Sequence, residues 1–400
     1  MKENVNRLWF DALLRHQIYA IRASGSLRDS VNEILKKTEA DIDAWIRSAL
    51  EGDTAYTPKR LAKAQQALKR IRAVRMTAWN KADKVLFQDA ADFIQNDAQF
   101  LSKALETVVP VVLETSLPSP ASLKGIVQSS PFEGRTLKEW ASSLRAADLR
   151  RIEDQVKIGL VRGEPGPDIA RRIVGSVAKN GMDGATQITR NNAQAITRTA
   201  VNHFSNSARE AFLAENSDLF TEEIFAATLD SRTTPICRSL DGQRFPVGEG
   251  QIPPLHFGCR SIRVASINGD ALGSRPAKPF TERQLVREFA KQEGLGDITT
   301  RDALPRGMKG QFDSFSSRRI REMTQVVPAK IKYQDWLKSQ SAEFQDDTLG
   351  VTRGALFRRG GLKLDRFVDR AGDQIPLADL AVSDASAFRA AGLDPGRFYR

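Results

Sequence analysis

The residues able to do chemistry in this chain are concentrated in one module. Both of its cysteines, Cys237 and Cys259, and one of its three histidines, His256, fall within residues 226–264, AATLDSRTTPICRSLDGQRFPVGEGQIPPLHFGCRSIRV. Thiolate and imidazole are soft to borderline ligands that suit zinc, and His256-x-x-Cys259 is a workable chelating spacing. A structural zinc centre takes four protein ligands. Three are evident here, Cys237, His256 and Cys259, with Asp230 or Asp241 as candidates for the fourth. The plainer alternative is that the thiols act as small buried hydrophobes while His256 is hydrogen-bonded in a turn. A Cys237–Cys259 disulfide is a third state, disfavoured in a reducing cytoplasm and accessible in an exposed particle. A Cys/His nucleophile pair is the fourth. No oxyanion loop is readable near it, and no spacing marks either aspartate as the group that orients His256.

The local pattern around these residues is β-like. Residues 224–229 form an apolar run suited to a buried strand. Asp230 opens a turn in which short polar side chains bond the backbone. Asp241-Gly242 is a hairpin signal, because both residues tolerate positive φ. It is followed by a returning strand at 243–247, by the stiff Pro253-Pro254 pair, and by an alternating strand at 260–264.

At these residues the chain resembles the Mu F-like family of phage head morphogenesis proteins, also called minor head proteins. The resemblance is carried by T-L-D-x-R-x-x-x-x-C-x-x-L-D-G-x-x-F and then P-P-x-H-x-x-C-R-S. The family usually reads Cys-x-x-Cys in the first part and Pro-x-His-x-x-Cys-Arg-Cys at the end. Cys237, His256 and Cys259 occupy three of those positions, while Thr234 and Ser261 stand where the outer cysteines would be. By this resemblance Asp230, Cys237, Asp241, Gly242, Pro254, His256, Cys259 and Arg260 are the structural residues of the knuckle. Arg198 and Thr199 match the family's Arg-Thr pair on a preceding helix, and segments between 328 and 385 resemble a tail that some of these proteins carry.

Composition fits an assembled globular chain. A hydrophobic content of 41% supports real cores. The net charge of +11 points to an acidic partner, most simply nucleic acid, or to counter-charge against an acidic shell. No apolar run approaches the ~20 residues that span a bilayer, so no membrane partner is expected. The first residues do not read as a secretory signal.

The expected fold class is mainly α. A helical arm is read over 1–115, a helical middle region over 123–225, a β-rich Cys/His knuckle over 226–266, an irregular linker over 267–327 and a basic helical tail over 328–400. In the arm, Ser30-x-x-Glu33 has the pattern of a capping box, and Thr57-Pro58 opens a long helix. Its stripe of Leu61, Ala64, Leu68, Ile71, Trp79, Ala82 and Leu86 is interrupted only by Arg75. Lys59, Lys63, Arg70, Lys81 and Lys84 lie opposite, a face suited to DNA phosphates or simply to solvent. Within 267–327 a helix is expected over 281–292.

The resemblance implies a non-enzymatic minor head protein of a tailed bacteriophage. Its partners would be the portal protein, the major capsid or scaffolding protein, and packaged DNA. It would reside in the virion, in the head interior or near the portal, after assembly in the host cytoplasm. Zinc is the one cofactor the ligand types suggest. The rival readings are a metal-dependent nuclease with a Cys/His site, which requires water-activating ligands and a general base, and a plain DNA-binding protein of the host cell.

Overall fold

The computed structural model describes residues 2–52, 54–109, 115–220, 222–266 and 273–399, with side chains from Val5 onward. The chain is mainly α, as its apolar periodicity requires. Helix α1 (Lys2–Lys36) runs through Ser30, whose hydroxyl donates to the Ser26 carbonyl, so the Ser30–Glu33 pattern caps no helix start. Helix α2 (Glu39–Ala49) follows after a short kink. Helix α3 (Pro58–Val108) begins as its sequence dictates, with Pro58 in the first turn and the Thr57 hydroxyl accepting from Arg60 N–H. Its 51 residues span about 76 Å at 1.5 Å per residue. The helix ends before Pro110, which itself lies outside the described residues.

Ser119 caps α4 (Pro120–Ser129), and a Thr136–Glu139 capping box starts α5 (Leu137–Val161). A break at residues 162–165 separates α5 from α6 (Gly166–Val174), which the loop of residues 175–184 joins to α7 (Ala185–Glu215). Helices α1, α3, α4, α5 and α7 share one core, built from Leu27, Leu35, Trp79, Leu86, Leu123, Leu137, Val201 and Phe204 among others. Helices α2 and α6 close one end of it over Ile42, Ile71, Ile152 and Ile173.

Arg75, the residue that breaks the apolar stripe of α3, is fully buried and solves its burial by hydrogen bonding. Its Nε and Nη2 reach the two Asp148 oxygens at 2.8 and 3.1 Å, and its Nη1 donates to Leu35 O and Thr38 Oγ1, each at 2.7 Å. Asp148 also accepts from Trp79 Nε1 and Thr189 Oγ1, both at 2.8 Å. One ion pair thus ties the α1–α2 corner, α3, α5 and α7 together.

The knuckle adds β1 (Glu222–Ala226), β2 (Leu229–Asp230), α8 (Pro235–Leu240), β3 (Arg244–Pro246) and β4 (Ile262–Ser266). Strand β1 lies between β3 and β4, antiparallel to both, with Glu223 opposite Phe245 and Ala265. This sheet packs on the ends of α1, α3 and α7 through Trp9, Phe10, Leu101, Phe212, Ile262 and Val264. The Asp241-Gly242 turn is real, with Gly242 at φ +77°, yet it joins α8 to β3 and not one strand to the next. Helix α8 was not legible as such. Its six residues are too few to show a period, and only Pro235 at its first turn marks a start.

Residues 267–272, the first part of the stretch expected to be irregular, lie outside the described residues. The rest is ordered: β5 (Ser274–Lys278), α9 (Glu282–Gln292) behind a Thr281–Gln284 capping box, and α10 (Lys309–Met323). Leu285, Phe289, Phe312 and Phe315 give α9 and α10 a small core of their own, which overrides the glycine- and charge-rich composition of the segment. Strand β6 (Gln325–Pro328) pairs antiparallel with β5, which in turn pairs parallel with β2. Short helices α11 (Tyr333–Lys338), α12 (Ala342–Leu349), α13 (Val351–Arg358), α14 (Leu377–Ser383) and α15 (Ala385–Ala390) then enclose Tyr333, Trp336, Phe344, Leu356, Phe367 and Phe388. Several arginines of this basic tail are engaged internally: Arg358 with Asp346, Arg366 with Asp384, and Arg353 with the Ile375 carbonyl.

Candidate functional site

The first turn of α8 presents Cys237, and the turn before β4 presents His256 and Cys259. The fold brings the three together. Cys237 Sγ lies 3.8 Å from Cys259 Sγ and 3.4 Å from His256 Nε2. Among the described residues they are the one group of at least three Cys, His, Asp or Glu side chains whose ligand atoms all lie within 4.8 Å of one another. Both thiols are buried and free, while His256 is half-buried at the surface.

The electrostatics are those of a shared proton. The Cys237 thiol donates to Cys259, and that hydrogen bond together with burial pushes Cys237 well above its ordinary value. The same bond, helped by His256, holds Cys259 well below its own. Burial works against a charged His256, but the Cys259 thiolate, the Phe257 carbonyl and Glu133 outweigh it and raise His256. His256 Nδ1 lies 3.0 Å from Phe257 O. Donation of the Nδ1 proton there leaves Nε2 turned toward the sulfurs, the arrangement in which an imidazole serves as a ligand.

The dimensions suit a tetrahedral metal. Two sulfurs at a Zn–S bond length of about 2.3 Å are ~3.8 Å apart across a tetrahedral angle, which is the separation the two thiols hold. Thr234 and Ser261 flank Cys237, and both polarise its thiol. Thr234 Oγ1 is buried, an oxygen placed beside the Cys237 thiol.

Neither aspartate joins the ligands. Asp230 is held by the Arg260 guanidinium, with Nη2 at 2.9 Å from Oδ1 and Nη1 on Oδ2, and it accepts from Arg232 N–H at 3.1 Å. Arg260 lowers the Asp230 pKa against the opposing effect of burial. Asp241 is a buried brace: it accepts from Ala227 N–H, from both Nη atoms of Arg275 at 2.7 Å, and from Tyr333 N–H at 2.6 Å. The knuckle is thereby joined to β5 and to the first helix of the C-terminal region. Gly242 serves the same corner: its N–H donates to Phe225 O at 2.8 Å, and a Cβ there would meet the Lys332 side chain at 2.9 Å. Pro254 lies in the loop that leads to His256.

Helix α7 holds the knuckle in place from below. Thr199 Oγ1 accepts from Gly258 N–H at 2.9 Å, and Asn202 Nδ2 donates to Cys259 O at 3.0 Å. Asn202 Oδ1 in turn accepts from Gln17 of α1 at 2.8 Å, and Asn206 donates to the Asn202 carbonyl. Of these, the sequence drew attention to Thr199 only through the Arg-Thr pair, and Asn202 was missed. A signal was present: the polar residues Thr199, Asn202 and Asn206 recur at three- and four-residue spacing and so share one helix face. The lysines and arginine Lys59, Lys63, Arg70, Lys81 and Lys84 are all exposed along α3, remote from this centre in sequence and element.

The fold and site together define a mainly helical body with a small antiparallel knuckle built around a cysteine–histidine cluster. Residues 150–264 match the family model described as Phage Mu protein F like protein, a span that contains α6, α7 and the whole cluster. Over that span, less than a third of the chain, it is similar to the Mu F-like family of phage head morphogenesis proteins. No curated protein and no solved structure shows a match to it. Among the described residues no helix is long and apolar enough to cross a membrane.

Proposed function

We propose that this chain is a minor head protein of a tailed bacteriophage that acts by binding. In this reading it joins the portal and the inner face of the shell during procapsid assembly and stays in the head beside packaged DNA. The observation that carries the reading is the family match over 150–264, which ends with the helix-clamped knuckle. The long α3 supplies reach. Its exposed Lys59, Lys63, Arg70, Lys81 and Lys84, spread over about 38 Å of helix, form the face offered to DNA phosphates.

Cys237, His256 and Cys259 are the residues that would hold a zinc ion. The ion would cross-link α8 to the turn before β4, with a water or a Thr234 or Ser261 oxygen completing the shell. The chain's own part is to hold Nε2 and the two sulfurs in place through Phe257 O, Thr199 and Asn202. A non-enzymatic role is supported by the burial of both thiols, since a reactive cysteine needs access as well as thiolate character.

Quantitative mass spectrometry of purified heads, with empty procapsids alongside, tests the reading. The expected result is this chain at a few copies per particle, far below the major shell protein. Its absence from both particles sinks the assignment.

A further inference from the structure

Beside the knuckle lies a cluster of cations that the cysteine–histidine centre does not use. Arg198 of α7 is half-buried, and its side chain runs along the knuckle turn: a Cβ built on Gly258 would lie 4.0 Å from Arg198 Cδ. Burial, and after it the neighbouring charges of Arg232, Arg260 and Arg28, lower its pKa. Arg260 is committed to Asp230. Arg232 stands 3.9 Å from that carboxylate, with its side chain 72% exposed. Lys278 is the register partner of Asp230 across the β2–β5 pair and is itself half-buried. Arg232, Arg260 and Lys278 therefore share a single carboxylate, and Arg198 adds a further cation beside the same knuckle turn.

An apolar surface borders the cluster. Phe257, adjacent to Gly258, is 42% exposed, and its ring meets Trp140 edge-on at 5.1 Å, while Arg135 lies over the Trp140 ring at 4.9 Å. Cations in partial burial with too few counter-anions repel one another, and an incoming oxyanion relieves that repulsion. Guanidinium forks match phosphate oxygens, and a neighbouring exposed ring is the usual platform for a base.

We propose that this rim is a nucleic-acid phosphate site, in which Arg198 and Arg232 donate to the phosphate oxygens and Phe257 packs against the adjoining base. It is separate from the basic face of α3, and it does not depend on the head-protein reading or on a metal in the knuckle.

The test is binding of a short fluorescent single-stranded DNA to the full chain, by anisotropy over a range of salt. The Arg198→Gln/Arg232→Gln variant should lose at least about tenfold in affinity at low salt. The slope of log K against log salt should become shallower by about 1.4, two phosphate contacts at ~0.7 each for a single strand. Neither side chain closes a short ion pair, so the variant should melt like the parent. Phe257→Ala should weaken DNA binding and leave displacement by inorganic phosphate unchanged. Displacement by millimolar inorganic phosphate, lost in the double variant, would assign free phosphate to the same groups. Loss of DNA binding without such displacement would assign the polymer. The proposal is overturned if the double variant keeps the parent's affinity and slope, or if Lys81→Gln/Lys84→Gln accounts for the whole salt-dependent loss.

Discussion

Removing Asp148 while keeping Arg75 should be among the most damaging single changes available to the helical body. Arg75 is fully buried, and Asp148 is its counter-ion through two contacts at 2.8 and 3.1 Å. In Asp148→Ala the guanidinium keeps only Leu35 O and Thr38 Oγ1, and the Trp79 indole and Thr189 hydroxyl lose their acceptor. Breaking a buried pair from one side costs about 3–5 kcal/mol, mostly as an uncompensated charge. Two orphaned neutral donors add about 1 kcal/mol each or somewhat more. The loss expected for the single variant is therefore about 5–7 kcal/mol. Arg75→Met/Asp148→Leu removes both charges and fills the space with apolar atoms, and should recover more than half of that loss. Equilibrium urea unfolding followed by helical circular dichroism, for the parent, both singles and the double, measures the coupling directly. If Asp148→Ala costs under about 1 kcal/mol, or if the two single losses simply add in the double, the buried pair is not the junction described and the reasoning fails.

Three further outcomes are expected. In a zinc competition with a chromophoric chelator, Cys237→Ser and Cys259→Ser should abolish binding, and Thr234→Cys/Ser261→Cys should tighten it at least about tenfold by completing a four-ligand set; equal affinity in the parent and Cys259→Ser would remove the metal reading. Glu223, pushed up to about 8 chiefly by burial and then by the charge of Glu210 against the opposing Arg263 and Arg209, holds a proton that the unfolded chain releases near its ordinary 4.5. Its stabilising contribution is therefore complete below pH ~4.5 and is lost as pH rises through about 8, by a few kcal/mol at most. Glu223→Gln should flatten that decline in urea midpoints measured from pH 5 to 9, and an unchanged slope would contradict it. A Cβ at Gly184 would lie 2.4 Å from Gly175 N and 2.5 Å from Val174 C, both backbone, whereas one at Gly125 meets nothing within 4 Å. Gly184→Ala should thus destabilise by about 1–3 kcal/mol or more and Gly125→Ala should stabilise α4 by up to ~1 kcal/mol, and thermal melts that reverse this order would refute the packing argument.

Much of this architecture was legible because it rests on local rules. The Thr57-Pro58 start of α3, the strands on either side of the knuckle and the helix after Thr281 all follow from caps and periodicity. The Cys237–His256–Cys259 association was legible because ligand types and spacing survive in one dimension. What escaped depends on distant partners. Ser30 looks like a cap, but α1 continues through it on the packing of Leu27, Val31 and Leu35 against α3 and α7. Asp230 and Asp241 looked like ligands, and only the fold reveals Arg260 and Arg275 taking up their carboxylates. Arg75 looked like a flaw in a stripe until Asp148, 73 residues away, came to meet it. The small core of α9 and α10 was hidden by composition, since a few phenylalanines suffice to order a polar segment.

The contacts of the first helix have a consequence for biosynthesis. The Trp9 indole donates to the carbonyl of Ala265, 256 residues later, and Asp11 accepts from Ser274 N–H, 263 residues away. Strand β4, against which Trp9, Phe10 and Leu13 are buried, emerges from a ribosome long after α1 does. At roughly 5–20 residues per second, the aromatic start of the chain waits about 13 to 50 s for its partner to be made. Helices α3 and α7 are made earlier and can cover part of its apolar side, but the end that carries Trp9 cannot close until β4 exists, so the first helix is also one of the last to complete its packing.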